Sequence, residues 1–351
     1  MRKIRLGKTG LMISELGFGG IPIQRLDEDE AVQVVRRCLE LGVTFFDSAN
    51  GYTTSEERIG KAIVRRREGL VLATKSGARD AKTCREHLEL SFRRLGVEHI
   101  DLFQFHNVST EKHYEQVIAP GGMLEVVREA QAAGRVGHIG VTSHRLEMAL
   151  TLAASGYFET LMFPFCFATP EPIEELIPLC RKHDVAFIAM KPMGGGLLES
   201  ASLAFKYLRQ FPDVLPLVGV QSTAEIEEIV AVMEGPAGLS AEEQAEMRRV
   251  TQELGTRFCR GCDYCQPCPQ GISISMTMRL RSHAKRFHVD RFYGQDIQTM
   301  VERAETCSDC GDCESRCPYE LTIRETLREN TAWYHEQIAL YQSRQPATTT
   351  V

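Results

Sequence analysis

The stretch Val43-Thr-Phe-Phe-Asp47-Ser-Ala-Asn-Gly-Tyr52-Thr-Thr-Ser-Glu-Glu-Arg-Ile-Gly-Lys-Ala-Ile-Val64 decides the fold. Val43–Asp47 is a short apolar run that ends on an acid. Thr54–Arg66 has the apolar spacing of a helix, and Thr54-x-x-Glu57 at its start has the form of a capping box. A strand, a loop bearing polar residues and a helix thus follow one another.

The same unit recurs along the chain. Further strands are expected at Ser14–Gly19, Leu70–Lys75, Ile100–His106, Val136–Thr142, Thr160–Phe165, Val185–Lys191 and Leu215–Val220. Helices are expected at Asp27–Leu41, Lys82–Leu95, Met123–Ala133, Leu146–Ala154, Glu171–His183, Ala201–Phe211 and Ala224–Met233. A hairpin over residues 2–13, turning at Lys8-Thr-Gly10, precedes them. Eight strand–helix units in about 230 residues match a (β/α)8 TIM barrel. The strands are apolar on both faces, as buried parallel strands are. An open doubly wound sheet is the alternative, and no Gly-x-Gly-x-x-Gly turn follows an early strand to favour it.

The pattern breaks after Gly235-Pro236. Ser240-x-x-Glu243 opens another helix, to about Leu254, and two cysteine arrays follow. They are Cys259-x2-Cys262-x2-Cys265-x2-Cys268-Pro269 and Cys307-x2-Cys310-x2-Cys313-x3-Cys317-Pro318. Helical residues and no strand signal lie between them. The expected organisation is a barrel over 1–235, a mainly helical domain over 236–344, and a disordered tail over 345–351.

The 351 residues are 43% hydrophobic and 25% charged, the profile of an ordinary globular protein. A net charge of −6 speaks against a general nucleic-acid binder. No run approaches the ~18 apolar residues of a membrane span, and Met1–Lys8 lacks the apolar core of a signal peptide. A cytoplasmic protein is expected, and in that compartment the 12 cysteines point to metal rather than disulfides. Cys38, Cys84, Cys166 and Cys180 fall in apolar settings that suit core packing.

The second array follows C-x2-C-x2-C-x3-C-P. Eight cysteines in two groups could bind zinc, but three in a row at x2 spacing crowd a tetrahedral site and suit a cubane. The region resembles a ferredoxin domain with two 4Fe–4S clusters. That resemblance implies an exchange of cysteines. Cys259, Cys262, Cys265 and Cys317 would hold one cluster, and Cys307, Cys310, Cys313 and Cys268 the other. The x2 spacing before Cys268 sets it apart from the other seven.

Polar residues end three of the barrel strands. Asp47, Lys75 and His106 stand there, and Tyr52 follows in the loop after Asp47. Catalytic groups of such barrels gather at this end. A nearby ammonium favours a phenolate, so Lys75 would lower the Tyr52 pKa. Asp47 would orient Lys75, His106 would polarise a carbonyl oxygen, and Tyr52 would move the proton. Singly, each has a plain structural explanation.

Asp47-Ser-Ala-Asn-Gly-Tyr52-Thr-Thr-Ser-Glu-Glu-Arg-Ile-Gly-Lys resembles a signature of the aldo-keto reductase superfamily. Ala73-Thr-Lys75, Leu102-Phe-Gln-Phe-His106 and Gly134-Arg-Val-Gly-His-Ile-Gly-Val-Thr142-Ser143 are similar to its later signatures, and Leu6-Gly-Lys-Thr-Gly-Leu to its opening. The resemblance covers about residues 2–235. With the cysteine arrays, the chain looks like the branch that carries a C-terminal 4Fe–4S ferredoxin-like domain. It implies a catalytic tetrad of Asp47, Tyr52, Lys75 and His106, a small carbonyl or alcohol substrate, and NADP(H) or NAD(H) across the barrel mouth.

The expected cofactor residues depart from the family pattern. Thr142-Ser143 replaces a Ser-Asn pair. Met162 stands for a Gln, Met190 for a stacking aromatic, and Gln221-Ser222 for a basic residue. Lys191 with the N–H groups of Gly194, Gly195 and Gly196 would cradle a pyrophosphate, unless the glycine run is only a flexible loop. No flavin motif is present.

Met276–Phe292 is basic in an acidic chain. Arg279, Arg281, Lys285 and Arg286 would dock a ferredoxin or flavodoxin, or form a solvated helix face. Two functions remain open on sequence alone. One is an oxidoreductase with Tyr52 as general acid/base. The other is an electron-transfer protein whose barrel is a scaffold.

Overall fold

The computed structural model describes residues 1–344; the expected tail over 345–351 lies outside the described residues. The chain divides into two compact units, Met1–Val250 and the segment from Thr251 onward.

The first unit begins with a hairpin, β1 (Lys3–Arg5) against β2 (Met12–Ser14). Eight parallel strands follow and close into a barrel. They are β3 (Gly17–Gly19), β4 (Phe45–Asp47), β5 (Val71–Ser76), β6 (Ile100–Phe105), β7 (Val136–Thr142), β8 (Thr160–Pro164), β9 (Ala186–Met190) and β10 (Val214–Val218), and β10 pairs with β3. Each strand follows its sequence neighbour around the ring, as right-handed strand–helix crossovers require.

The interior is packed. Phe45, Val71, Ala73, Leu102, Met162, Ala186, Ile188, Leu215 and Leu217 form its core, and Ile4, Leu6 and Ile13 of the hairpin pack into the same cluster. The hairpin therefore seals one end of the barrel. At the short strand β3, a Cβ on Gly17 would come 2.9 Å from the Phe45 ring and 3.2 Å from Leu217, so any side chain there crowds both. Strand side chains alternate between faces. The interior row that carries Phe45 therefore next carries Asp47. Val71 and Ala73 lead to Lys75, and Leu102 leads to Gln104.

The helices are α1 (Glu28–Glu40), α2 (Ser55–Ile63), α3 (Ala81–Leu95), α4 (Glu111–Ile118), α5 (Met123–Ala132), α6 (Leu146–Ala154), α7 (Leu176–Lys182), α8 (Ala201–Leu208), α9 (Thr223–Glu234) and α10 (Ala241–Leu254). Asp27 caps α1 in a reciprocal capping box with Glu30. Ser240 and Glu243 form the same device before α10: Ser240 N donates to Glu243 at 2.9 Å, and Glu243 N to Ser240 Oγ at 3.2 Å.

Two expectations change. Thr54 makes no cap on α2, because its backbone is already helical (φ −97°, ψ −2°) and an N-cap needs an extended one. The long loop after β6 contains a helix, α4, capped by Thr110 on His113 N. Its single buried residue, Val117, gives too little periodicity to read.

The second unit has no strand among its described residues. It holds α11 (Ile274–Met278), α12 (Leu280–Ala284), α13 (Val289–Phe292), α14 (Gln295–Glu305), α15 (Asp312–Ser315) and the long α16 (Ile323–Arg344). Leu280, Phe292, Ile297, Val301 and Tyr334 make one small core. Ile272, Ile274, Met278, Ala304, Leu321, Ile323 and Leu327 make another, shared with Cys265 and Cys313. Asn330 of α16 donates to the carbonyls of Thr277 and Met278 at 2.9 and 3.0 Å, closing the end of α11.

Candidate active site and cysteine cavities

Asp47, Tyr52, Lys75 and His106 meet at one end of the barrel. Lys75 and Asp47 are both 2% exposed and form an ion pair. Lys75 Nζ also donates to the Ser48 carbonyl at 2.5 Å. Tyr52 sits in the β4–α2 loop, whose path is fixed by backbone bonds from Asn50 N to Lys75 O and from Tyr52 N to Ala49 O, both 2.9 Å. That path brings the Tyr52 ring centroid to 5.0 Å from Lys75 Nζ. The His106 ring stands edge-on to it at 5.7 Å and 81°.

Burial works against both members of the ion pair. It pushes the Asp47 carboxyl up, while Lys75 and Gln104 pull it back. For Lys75, burial is outweighed by Asp47, Tyr52 and Glu56, and the ammonium is held above its ordinary value. The charged pair is the state that the surrounding bonds support, since Gln104 donates to the carboxylate and the Ser48 carbonyl accepts from the ammonium. His106 keeps part of its surface open, yet burial and the cations Lys75 and Arg79 lower its pKa to about 3. The imidazole is neutral near pH 7 and can donate one hydrogen bond.

Several residues around this centre were not singled out from the sequence. Gln104, fully buried, donates Nε2 to Asp47 Oδ2 at 2.7 Å. Its signal was present: it stands two residues before His106 on the same strand face. Glu56, 1% exposed, accepts from Thr74 Oγ1 at 2.6 Å and lies 3.5 Å from Arg94. Arg94 donates to the Asn50 carbonyl at 2.9 Å, in the loop that carries Tyr52. Arg79 donates to the carbonyls of His106 and Asn107, both at 3.1 Å. These contacts join loops distant in sequence, so no local pattern marks them.

The expected cofactor residues are distributed around the same mouth but are largely engaged. Thr142 Oγ1 accepts from Asn107 N at 2.8 Å. Ser143 is fully buried, with its hydroxyl 3.3 Å from Ser109 Oγ. Ser222 caps α9 on Glu225 N. Gly194, Gly195 and Gly196 all have positive φ, 54°, 79° and 87°, a run only glycines adopt readily. Gly194 N donates to Lys191 O at 2.9 Å and Gly196 N to Met193 O at 2.8 Å. Two of the three expected phosphate donors are thus spent within the turn.

In the second unit the cysteines ring two cavities. Cys259, Cys262, Cys265 and Cys317 line one. Cys268, Cys307, Cys310 and Cys313 line the other. Each draws three cysteines from one array and the fourth from the other. None of the eight is in a disulfide. Among the described residues no three His, Cys, Asp or Glu side chains converge closely enough to hold a single metal ion. Four thiols around a cavity fit a cubane cluster.

The basic stretch is partly braced within its own unit. Arg279 Nε donates to Ser275 O at 3.0 Å. Arg281 Nε donates to Asn330 Oδ1 at 3.1 Å, and its guanidinium lies 5.1 Å from the Trp333 ring centroid. Arg281 and Lys285 are nonetheless exposed, and Arg279 and Arg286 half-buried, so the stretch reaches the surface. Cys38, Cys84, Cys166 and Cys180 are buried, as core packing requires. No helix among the described residues is long and apolar enough to cross a membrane.

Residues 15–210 match the Aldo/keto reductase family, and residues 258–322 match a 4Fe-4S dicluster domain. The uncharacterized oxidoreductase YqkF of Bacillus subtilis is 29% identical over 217 residues, 58% of this chain and 68% of that protein. The aldo-keto reductase str7 of Strobilurus tenacellus is 33% identical over 208 residues, 53% of this chain and 60% of its own length. The chain thus spans about two thirds of the curated relatives it matches. An aldo/keto reductase from Klebsiella pneumoniae, solved with NADP and acetate, shares the fold at TM-score 0.59 and 20% identity, over 71% of this chain and 95% of that one. The chain belongs to the aldo/keto reductase family and is an oxidoreductase that carries a 4Fe–4S domain beyond its barrel.

Proposed function

We propose that the barrel interconverts a carbonyl and an alcohol, with Tyr52 as general acid/base. The observation that carries this reading is the buried Asp47–Lys75 pair beneath the Tyr52 ring, with a neutral His106 at the ring's edge. Lys75, held charged, stabilises the phenolate that Tyr52 becomes after giving up its proton. His106, unable to take a proton near neutral pH, donates a hydrogen bond to the substrate oxygen as negative charge gathers there. Tyr52 delivers the proton to that oxygen, and takes it back in the oxidative direction.

NADP(H) or NAD(H), when bound, supplies or accepts the hydride. The NADP held by the Klebsiella pneumoniae relative supports this choice. Lys191 and the backbone of Gly194–Gly196 would lie along the dinucleotide. The engaged hydroxyls of Thr142 and Ser143 leave fewer side-chain contacts to its amide and favour weak binding.

Each cysteine cavity holds one 4Fe–4S cluster, with the exchanged ligand sets described above. Four cysteines lining each of two cavities, none of them in a disulfide, support that assignment.

The test is reduction of a panel of aldehydes and ketones with NADPH and NADH by wild type and Tyr52→Phe. Turnover by wild type that falls at least about 100-fold in the variant supports the reading. Equal turnover by the two proteins would sink it.

A further inference from the structure

Cys268 reaches the cavity of the second array even though its own array spaces it one residue short. The structure shows what takes it there. Arg316 spans the two arrays with one guanidinium. Its Nη2 donates to the Pro267 carbonyl at 2.8 Å and its Nε to the Asp312 carbonyl at 3.0 Å. These are the peptide groups directly before Cys268 and Cys313, two thiols of the same cavity. Gln266 fixes the other side. Its Oε1 accepts from Cys268 N at 2.9 Å, and its Nε2 donates to Ile272 O at 2.9 Å. The Cys268 carbonyl in turn accepts from Gly271 N at 2.9 Å.

We propose that Arg316 and Gln266 are positioning residues that hold Cys268 as the fourth thiolate of the cluster built on Cys307, Cys310 and Cys313. This rests on the two-cluster reading above. A planar guanidinium with two donors set apart suits the task, because it ties two backbone carbonyls at a fixed separation. A lysine, a point charge on a flexible stem, cannot hold both with the same geometry. Residues that orient ligands from behind govern retention of the metal without touching it. Loss of the Cys268 corner leaves one iron without its thiolate. Ferricyanide then takes one electron from the four-iron cluster, Fe²⁺ departs, and a three-iron cluster stays on the remaining cysteines.

The experiment uses the full chain, purified anaerobically with its clusters, as wild type, Cys268→Ala, Arg316→Leu, Gln266→Leu and Arg316→Lys. Iron and sulfide are counted, and the three-iron EPR signal is read after limited ferricyanide treatment. If wild type holds iron for one cluster only, the two-cluster reading fails before the inference is reached. If wild type holds two, Arg316→Leu and Gln266→Leu are expected to follow Cys268→Ala. They should lose about one iron per chain, with a three-iron signal at least about tenfold above wild type. Arg316→Lys should fall between. Variants that keep all their iron and give no more three-iron signal than wild type overturn the proposal. Loss of both clusters in Arg316→Leu and Arg316→Lys alike also overturns it, since Arg316 would then support the whole unit rather than one corner.

Discussion

Gln104 donates its amide to the outer oxygen of Asp47 at 2.7 Å, while the other oxygen of that carboxylate holds Lys75. A neutral strand residue thus fixes the rotation of the acid that fixes the ammonium beneath Tyr52. The bond lies wholly inside the barrel, where both residues are closed to solvent.

Replacing Gln104 with Leu removes a charge-assisted hydrogen bond without adding charge. Turnover is expected to drop about 10- to 100-fold, the value of a bond of some 1.5–3 kcal/mol to a charged group. KM should change less, because Gln104 is buried on the barrel side of the ion pair. Steady-state kinetics on wild type and variant check this; unchanged turnover would remove Gln104 from the machinery.

Lys75→Met should be costlier than Tyr52→Phe in stability. It leaves the Asp47 carboxylate buried and unpaired, a loss of about 3–5 kcal/mol. Tyr52 is half-buried and its change should leave the unfolding midpoint nearly unmoved. Denaturant melts of both variants decide it. A Lys75→Met protein as stable as wild type would mean that Asp47 is not held as a charged partner.

The depressed pKa of His106, about 3, sets a direction for acid sensitivity. The folded state keeps the ring neutral, while the unfolded chain protonates it below about 6.5. The unfolded state therefore binds the extra proton between those values. Stability contributed by the neutral ring is present above about 6.5 and lost as pH falls toward 3. His106→Gln should flatten the decline of the melting temperature between pH 6.5 and 4 relative to wild type. Parallel declines would show that His106 titrates normally in the fold.

Gly17→Ala adds a methyl 2.9 Å from the Phe45 ring and 3.2 Å from Leu217. Overpacking of this kind costs about 1–3 kcal/mol, and the barrel has no slack at its shortest strands. Chemical denaturation measures the loss. Stability equal to wild type would show that Phe45 can turn aside.

Anaerobic protein should hold about eight irons and eight sulfides per chain, four of each per cavity. Removal of iron by a chelator should loosen the segment from Thr251 onward, since the cysteines contribute to its small core. Hydrogen exchange followed by mass spectrometry reads this. Protection in Met1–Val250 should persist, and equal loss in both units would contradict a local role for the clusters.

The sequence by itself determined the repeating frame. Eight apolar runs between helical patterns, and an apolar row that ends on Asp47 or Lys75, reflect periodicities of two and 3.6 that are written in neighbouring residues. The cysteine spacing marked the second unit by the same local logic. The same frame failed where local form misled: Thr54-x-x-Glu57 looks like a cap, but the tight turn from Tyr52 to Ser55 takes Thr54 into helical backbone first. Only the tertiary structure decided which side chains share a partner. Closure of the barrel put Gln104 57 residues away against Asp47. It also brought Arg94 to the loop of Tyr52, 44 residues from the carbonyl it holds. Folding of the second unit put Arg316 on Pro267 across 49 residues. It also gave Arg279 and Arg281, within the basic stretch, partners at Ser275 and Asn330. Hydrogen bonds of this kind depend on where strands and loops meet in space, and a linear sequence carries no distance between residues that far apart.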